Sequence, residues 1–154
     1  MSGFTVRKAL PSDAERIHEL VYVYSRRDEM LPLPFSEVYE RIRDFFVAEE
    51  DGKVIGCCAL RVSWIDLAEV RSLAVDEAHL KKGVGARLIE ECVKDAKSLG
   101  VKRVFTLTNK PDFFKKLWFS KTSKNELPMK VWGECVKCCK FANCDEQAMV
   151  RKLD

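Results

Sequence analysis

The clearest hydrophobic pattern in the chain predicts a strand, a long helix and a second strand in succession. In residues 83–99 the apolar positions recur every three or four residues on one helical face, and Gly100 supplies a stop. Residues 69–75 and 103–108 are short apolar segments with strand character. Because a strand, helix, strand crossover places its two strands side by side in one direction, we expect this pair to be parallel.

The other patterns predict a front half with antiparallel strands and two helices. Ser12 or Asp13 can cap the free N–H groups of the first helix, and residues 36–44 form a second, short one. The Asp-Gly pair at 51–52, between two apolar runs, is typical of a hairpin. The remaining predicted elements are strands 4–8, 45–49 and 53–61, a short helix from Pro111 and a last strand over 148–153.

This order of elements predicts a mixed α/β (α+β) fold, with a central, mostly antiparallel sheet flanked by helices. The 154 residues fit one domain over 1–154, without repeats or linkers. An apolar fraction of 47% is enough for a core, a charged fraction of 33% favours a soluble protein, and no apolar run is long enough for a membrane span. We expect a cytoplasmic location, because no leader-like apolar core is visible. The net charge of +3 is too small to indicate a nucleic-acid partner.

A short basic loop before the long helix has the features of an anion-binding site. Gly83 and Gly85 open the helix, and Lys81, Lys82 and Arg87 add positive charge beside them. The free N–H groups at a helix start bind anions, and glycines let a phosphate approach the backbone closely. The segment therefore predicts a pyrophosphate site, although its spacing fits neither a Walker loop nor a Rossmann fingerprint. A purely structural glycine turn is the alternative.

Leu73-x-Val75, the loop and Gly83-x-Gly85 resemble the acetyl-CoA signature of the GNAT superfamily of N-acetyltransferases, whose element order also matches nearly the whole chain. The resemblance implies a GNAT-like fold in which the parallel strand pair forms the acetyl-CoA cleft. Its implied donor-binding positions are Leu73, Ala74 and Val75 for the pantetheine arm, and Lys81, Lys82, Gly83, Val84, Gly85 and Ala86 for the pyrophosphate. One departure is Leu80, where the family usually has Arg or Gln; Lys81 or Lys82 can supply the charge instead.

Acetyl transfer to an amine requires removal of a proton and stabilisation of an oxyanion. In the family the amine attacks the thioester directly, and a glutamate at the start of this strand often acts as base through water. Glu69 is therefore the catalytic candidate. Its alternative role is a salt bridge to Arg71, two residues along the same strand face. Arg71 can instead bind a substrate carboxylate, because its planar fork suits that geometry.

Two positions after the long helix are also implied at the cofactor. Asn109 is expected either to hydrogen-bond the CoA arm or to act as a turn residue before Pro111. Phe114 occupies the position at which the family often carries a tyrosine that protonates the departing thiolate, and Trp118 replaces a family glycine. Since phenylalanine cannot donate a proton, the general acid stays unassigned.

Residues 126–132 and the cysteines after them resemble the tail of short, stand-alone amino-acid acetyltransferases of the N-acetylglutamate synthase type. The implied reaction converts acetyl-CoA and L-glutamate into N-acetylglutamate and CoA, at the start of arginine biosynthesis. Glutamate carries two carboxylates, so its site needs fixed cations. The candidates are Arg71, Arg26, Arg27 and Lys130. Residues 110–140 hold eight lysines and either form a solvated basic face or steer such an anion.

The seven cysteines fall into two groups. Three of them, Cys57, Cys58 and Cys92, lie in apolar patterns and are expected in the core. The C-terminal group, which includes Cys135, Cys138 and Cys144, allows a zinc site without an obvious fourth ligand, a disulfide or packed free thiols. We assign none of them to catalysis and predict no metal.

Two rival functions stay open at this point. A GNAT enzyme for another amine, such as a polyamine, a protein N-terminus or an antibiotic, fits the same donor half. Cationic acceptors of that kind prefer acidic pockets, whereas residues 110–140 are basic. A non-catalytic CoA-binding module is consistent with Phe114 and Leu80. Family analogy also allows a homodimer, and we expect neither a nucleic-acid nor a membrane partner.

Overall fold

The computed structural model describes residues 3–27, 29–30, 32–123, 127 and 147–153. Within these residues lie seven strands and four α-helices, which are β1 (Thr5–Lys8), α1 (Ala14–Ser25), α2 (Phe35–Glu40), β2 (Phe45–Glu50), β3 (Lys53–Trp64), β4 (Leu67–Val75), α3 (Val84–Ser98), β5 (Arg103–Thr108), α4 (Pro111–Lys115), β6 (Ser120–Thr122) and β7 (Gln147–Lys152). None of the described helices is both long and apolar enough to cross a membrane.

The strands form one mixed sheet with the order β1-β2-β3-β4-β5-β7-β6. The pairs β1/β2 and β2/β3 are antiparallel. The pair β4/β5 is parallel, with Leu67, Ala68 and Glu69 opposite Arg103, Val104 and Phe105. The predicted α/β class and the predicted parallel pair are therefore confirmed.

Contacts divide the chain into two compact units, one of Met1–Leu60 with Val70–Asp95 and one of Arg61–Glu69 with Ala96–Asp154. The single domain over residues 1–154 stays a prediction. The first unit holds β1, β2, α1, α2 and most of β3, β4 and α3. Its core includes Ile17 and Leu20 of α1, Phe45 and Val47 of β2, and Cys57 of β3.

Two glycines fix the geometry of this first unit. Asp51 and Gly52 have φ values of 52° and 76°, so both turn residues of the β2–β3 hairpin are left-handed, as a type I′ turn requires. Gly56 lies under α3, because a Cβ there would come within 3.1 Å of Val84 and 3.2 Å of Leu88. The glycine thus lets the start of α3 pack directly on β3.

The second unit has its own small core, made of Leu67, Phe105, Leu127 and Ala148. In it β7 pairs antiparallel with both β5 and β6. The strand β6 has no counterpart in the sequence prediction. Its three residues, Ser120–Thr122, are polar and too few to show an alternating pattern, so the pairing with β7 creates a strand that no local signal announces.

Several sequence expectations needed correction. The first helix begins with a 3-10 turn over Pro11–Asp13, and Asp13 does not cap α1 with its side chain. Its carboxylate instead accepts hydrogen bonds from Arg7 and from the backbone N–H of Leu10. The second helix ends at Glu40 and is followed by a 3-10 turn, Ile42–Asp44. Strand β3 continues to Trp64, beyond the predicted end at residue 61.

Candidate active site

The second half of β4 departs from a regular strand at Ser72. This residue has a φ of 54°, in the left-handed region, which costs a non-glycine residue roughly 1 kcal/mol. Arg71, Ser72 and Leu73 are half-buried in succession, whereas a regular strand alternates between its faces. The thiols of Cys57 and Cys58 lie 3.5 Å and 3.7 Å from the carbonyl oxygens of Ser72 and Arg71. Nothing in the sequence signals this irregular segment.

Glu69 lies directly before that segment and is 9% exposed. An acidic residue is seldom this buried unless polar groups hold it. Arg71 is half-buried two residues later. The structure therefore places a carboxylate and a guanidinium on the strand where the sequence predicted them, and their roles stay predictions.

The loop from β4 to α3 is built from two left-handed residues. Lys81 has a φ of 65° and Gly83 a φ of 81°, and α3 then begins at Val84. The N–H of Arg87 donates to the Gly83 carbonyl, which leaves the preceding N–H groups of the first turn outside the helical ladder. A Cβ on Gly83 would meet nothing within 4 Å, so the glycine is required by its backbone conformation and not by lack of space.

The cations of this loop are accessible. Lys81 and Lys82 are exposed, and Arg87 is paired with Glu91 at 3.3 Å on the helix surface. Such an exposed pair contributes little and is easily exchanged for a more strongly charged partner. Leu80, at the position where the family usually has Arg or Gln, is 48% exposed. An anion at the start of α3 would thus meet backbone N–H groups and three nearby cations.

Asp76, at the end of β4, is a junction that the sequence did not reveal. One of its oxygens accepts from the N–H of Ala78, and the other accepts from Arg16 on α1 at 2.6 Å. The Ala78 amide and, to a smaller extent, the Arg16 guanidinium lower the pKa of Asp76. Arg16 also donates to the carbonyl of Val54 on β3. A single arginine therefore connects α1, β3 and the start of the loop.

A second contact to the loop comes from the β2–β3 hairpin. Nε2 of His79 lies 3.3 Å from a carboxylate oxygen of Glu50, and Nδ1 lies 4.0 Å from Asp76. The amino-acid sequence indicates no role for His79, whereas the structure places its ring beside Glu50 of the hairpin and Asp76 at the start of the loop. His18 stays outside this arrangement; it stacks on Tyr22 and packs at a tilt against Phe35.

The candidate acceptor residues are only partly described. Arg26 is exposed just after α1, with its guanidinium 5.7 Å from the centre of the Tyr22 ring. Lys130 and the cysteine group Cys135, Cys138 and Cys144 lie outside the described residues. Among the residues that are described, no cluster of three or more potential metal ligands is present. The three cysteines predicted in the core are buried there as free thiols.

In the second unit the two predicted cofactor residues have different surroundings. Asn109 is exposed after β5, in a turn closed by a hydrogen bond from the Lys110 N–H to the Thr108 hydroxyl. Phe114 is 5% exposed and packs edge-on against Phe113 and Phe119, with ring centres 5.1 Å and 5.2 Å away. Phe114 is thus a core side chain of this unit, and contact of either residue with CoA stays a prediction.

The sequence pattern of the acetyltransferase (GNAT) family matches residues 12–117, which include the irregular strand and the glycine-opened helix. The chain belongs to this family. It is a GNAT-type N-acetyltransferase with acetyl-CoA as its acetyl donor. The predicted family, fold and donor are therefore confirmed.

Two proteins with similar sequences are named as acetyltransferases. The chain is 41% identical over 148 residues to an uncharacterized N-acetyltransferase of Chlorobaculum tepidum, covering 96% of each chain. It is 36% identical over 132 residues to an amino-acid acetyltransferase of Mycobacterium tuberculosis, covering 84% of this chain and 75% of the relative.

Solved structures of similar proteins have the same fold as this chain. A Mycobacterium tuberculosis protein in complex with CoA and NLQ matches with a TM-score of 0.86 and 31% identity, over 97% of this chain and 99% of that one. The N-acetylglutamate synthase of Neisseria gonorrhoeae, in complex with CoA and N-acetyl-glutamate, matches with a TM-score of 0.91 and 25% identity. This chain is covered completely in that match but spans only 36% of the synthase's length.

Proposed function

We propose that this acetyltransferase transfers the acetyl group of acetyl-CoA to the α-amine of L-glutamate, which forms N-acetylglutamate and CoA at the start of arginine biosynthesis. The observation that carries the proposal is the match over the whole chain to a synthase solved with CoA and N-acetyl-glutamate. The similarity to an amino-acid acetyltransferase over 84% of the chain supports the same class of acceptor.

The donor is held, on this proposal, by consecutive segments of the first unit. The backbone of Leu73–Val75 pairs with the pantetheine arm. The N–H groups of residues 81–86 hold the diphosphate, and Lys81 and Lys82 supply charge. The left-handed conformations of Lys81 and Gly83 support this role, because they direct the chain from the loop into the first turn of α3. Gly83 has no side chain that would keep a phosphate away from the backbone.

The chemical step is a direct attack of the amine nitrogen on the thioester carbonyl carbon. Glu69 accepts the proton that the amine must lose, through a bridging water. The new N–C bond forms a tetrahedral intermediate, and breaking of the C–S bond then releases the acetylated product and the CoA thiolate. The backbone of Leu73–Val75 polarises the thioester carbonyl and stabilises the oxyanion.

On this proposal, residue 114 does not protonate the CoA thiolate as it leaves. Phe114 has no ionisable group and is buried among aromatic rings. A CoA thiolate is a good leaving group whose protonated form has a pKa near the ordinary thiol value of about 8.5, so it can be protonated by solvent after departure. The missing tyrosine therefore does not prevent turnover.

Recognition of glutamate requires cations for both carboxylates. Arg71 is the first candidate, since it is half-buried on the strand that carries Glu69 and its guanidinium can bind a carboxylate in bidentate fashion. Arg26, exposed at the end of α1, and Lys130 are the second pair of candidates. A cationic acceptor such as a polyamine would be repelled by the same groups.

The test is a screen of the common amino acids and spermidine, with acetyl-CoA as donor and release of the CoA thiol as the signal. Glutamate should give the highest kcat/KM. A screen in which spermidine or another amine wins would reject glutamate while leaving the donor assignment in place. A protein that binds CoA but releases no thiol with any amine would favour the non-catalytic module.

The base is tested by Glu69→Gln, which keeps the size of the side chain. We expect kcat to fall about 10²- to 10⁴-fold, the usual contribution of a general base, while the affinity for CoA is retained. The matched control is Glu15→Gln, which changes an exposed carboxylate on α1. Equal activity of the two variants would exclude Glu69 as the base.

A further inference from the structure

A tyrosine on α1 contacts the end of the strand that the proposed function gives to the pantetheine arm. The hydroxyl of Tyr24 donates a hydrogen bond to the carbonyl oxygen of Val75 at 2.5 Å. The contact joins residues 51 positions apart in sequence, and the tyrosine ring packs half-buried against the core of the first unit. Family resemblance assigned no role to this residue, and its helical spacing alone makes it part of an apolar stripe.

The direction of the Val75 carbonyl follows from its own peptide bond. The N–H of Asp76 donates to Ile55 on β3 at 2.8 Å, so that N–H points toward β3. In a planar trans peptide the carbonyl of the preceding residue points the opposite way, and none of the described peptide bonds is cis. The Val75 carbonyl therefore points to the edge of β4 away from β3, and the Tyr24 hydroxyl lies at that edge.

We propose that Tyr24 is a positioning residue for the acyl donor, which holds the Val75 carbonyl at the strand edge where the pantetheine arm binds. The inference rests on the proposed donor-binding role of Leu73–Val75. A carbonyl oxygen has two lone pairs, so it can accept from Tyr24 and from a pantetheine amide at the same time. The hydrogen bond from Tyr24 fixes the direction of the Val75 carbonyl and leaves the second lone pair of its oxygen for the pantetheine amide.

Neighbouring contacts make the tyrosine part of a larger support. Arg16, from the same helix, reaches the side chain of Asp76, the residue after Val75. Arg27 pairs with Glu77, one residue further, at 2.8 Å. Three side chains of one helical segment thus contact three successive residues at the point where the strand becomes the loop. Of these contacts only that of Tyr24 ends on the strand backbone itself.

The phenol is suited to this task because it stays a donor. Burial raises the pKa of Tyr24 above its ordinary value, and the carboxylates of Glu77 and Glu29 raise it further. The hydroxyl consequently remains protonated throughout the neutral and moderately alkaline range. Removing it leaves the ring to fill the same space, so the hydrogen bond can be tested apart from packing.

The experiment is an equilibrium titration of Tyr24→Phe with CoA, followed by steady-state kinetics in which acetyl-CoA is varied. We expect Kd for CoA and KM for acetyl-CoA to rise about three- to tenfold, the net effect of one partly buried hydrogen bond, while kcat changes less than twofold. The matched control, Tyr39→Phe, changes an exposed tyrosine on α2 and should bind like the wild type.

A merely structural role would lower the melting temperature of Tyr24→Phe and leave its affinity for CoA unchanged, which would overturn the proposal. Tighter binding would overturn it as well, because the hydroxyl would then compete with the donor for the carbonyl. The CoA titration needs no acceptor amine. A wild-type protein that binds CoA but does not acetylate glutamate would therefore refute the proposed acceptor and leave this inference standing.

Discussion

Arg16 and Asp76 form a hydrogen-bonded ion pair of 2.6 Å, with side chains that are 27% and 24% exposed. The pair joins α1 to the first residue after β4, where the loop to α3 begins. Because the proposed diphosphate site lies in that loop, we expect substitution of Arg16, which lies on α1, to weaken binding of acetyl-CoA.

We predict that Arg16→Met lowers the free energy of unfolding by about 1 kcal/mol and raises KM for acetyl-CoA several-fold. The magnitude reflects a hydrogen bond to a charged group that is partly open to water. Urea unfolding and acetyl-CoA saturation curves measure the two effects. Arg27→Met serves as the stability control, because its pair with Glu77 is about half exposed and should contribute no measurable stability. An Arg16→Met protein with wild-type stability and KM would contradict the role of this junction.

Asp13 provides a prediction on pH. Its carboxylate is 9% exposed and accepts hydrogen bonds from two nitrogens of Arg7 and from the Leu10 N–H. The Arg7 guanidinium is the main cause that lowers the pKa of Asp13. A carboxylate whose pKa is lower in the folded state stabilises the fold above its unfolded pKa of about 4, and this stability is lost as the pH falls through the folded pKa.

Asp13→Asn should therefore lose roughly 1–2 kcal/mol of stability at pH 7, a range that allows for the 35% exposure of Arg7. The difference from the wild type should shrink as the pH falls from 4 toward 2. Urea unfolding at a series of pH values measures it. The wild type will keep some acid sensitivity in either case, since the pKa of Asp76 is also lowered. A difference that is constant with pH would show that the carboxylate's charge is not what stabilises this site.

Gly83 and Gly100 offer a matched pair around α3. Their φ values are 81° and 83°, and a Cβ on either would meet nothing within 4 Å. Substitution by alanine should therefore destabilise both sites by about 1 kcal/mol through backbone strain alone. Only Gly83→Ala should also weaken CoA binding, by roughly fivefold. In Gly83→Ala the loop without CoA relieves its backbone strain by leaving the conformation that binds CoA. Part of the binding free energy of CoA is then used to restore that conformation.

Calorimetric titration with CoA and thermal unfolding separate the two effects. Gly100→Ala, at the opposite end of the helix, should bind CoA like the wild type despite its lower stability. Equal loss of affinity in both variants would mean that general destabilisation, and not the loop conformation, controls donor binding.

Cys57 should be chemically inert in the folded protein. It is fully buried, and burial raises the pKa of its thiol to about 12. At pH 8 only about one molecule in ten thousand would carry the reactive thiolate. Alkylation with iodoacetamide followed by mass mapping should leave Cys57 unlabelled in native protein and labelled in urea. Native labelling at the rate of a free cysteine would show that the β3 region opens far more readily than its packing implies.

Much of this protein is already determined by local sequence. The short apolar segment predicted β5 with the limits that the structure shows, Arg103–Thr108, and the helical stripe placed α3 within one residue at each end. Asp51 and Gly52 specified their turn because few other residues tolerate two left-handed conformations in a row. Gly83 before α3 and Gly85 in its first turn predict a pyrophosphate-binding loop for a similar reason, since close approach of a phosphate needs a backbone without a Cβ.

Long-range contacts decided what the local pattern could not. Ser72 is left-handed in mid-strand, although serine has no preference for that conformation. The strand β6 exists only because β7 pairs with it. Asp13 is predicted from its sequence position to cap a helix, but its carboxylate accepts a hydrogen bond from Arg7, which β1 brings within 2.8 Å.

Tyr24 shows the same limit most clearly. Its sequence context predicts one apolar position on a helix, and only the packing of α1 brings its hydroxyl to the Val75 carbonyl. Periodicity records which face of an element is apolar. The partner of a polar atom depends on where a distant segment of chain comes to lie, and that is decided when the tertiary structure forms.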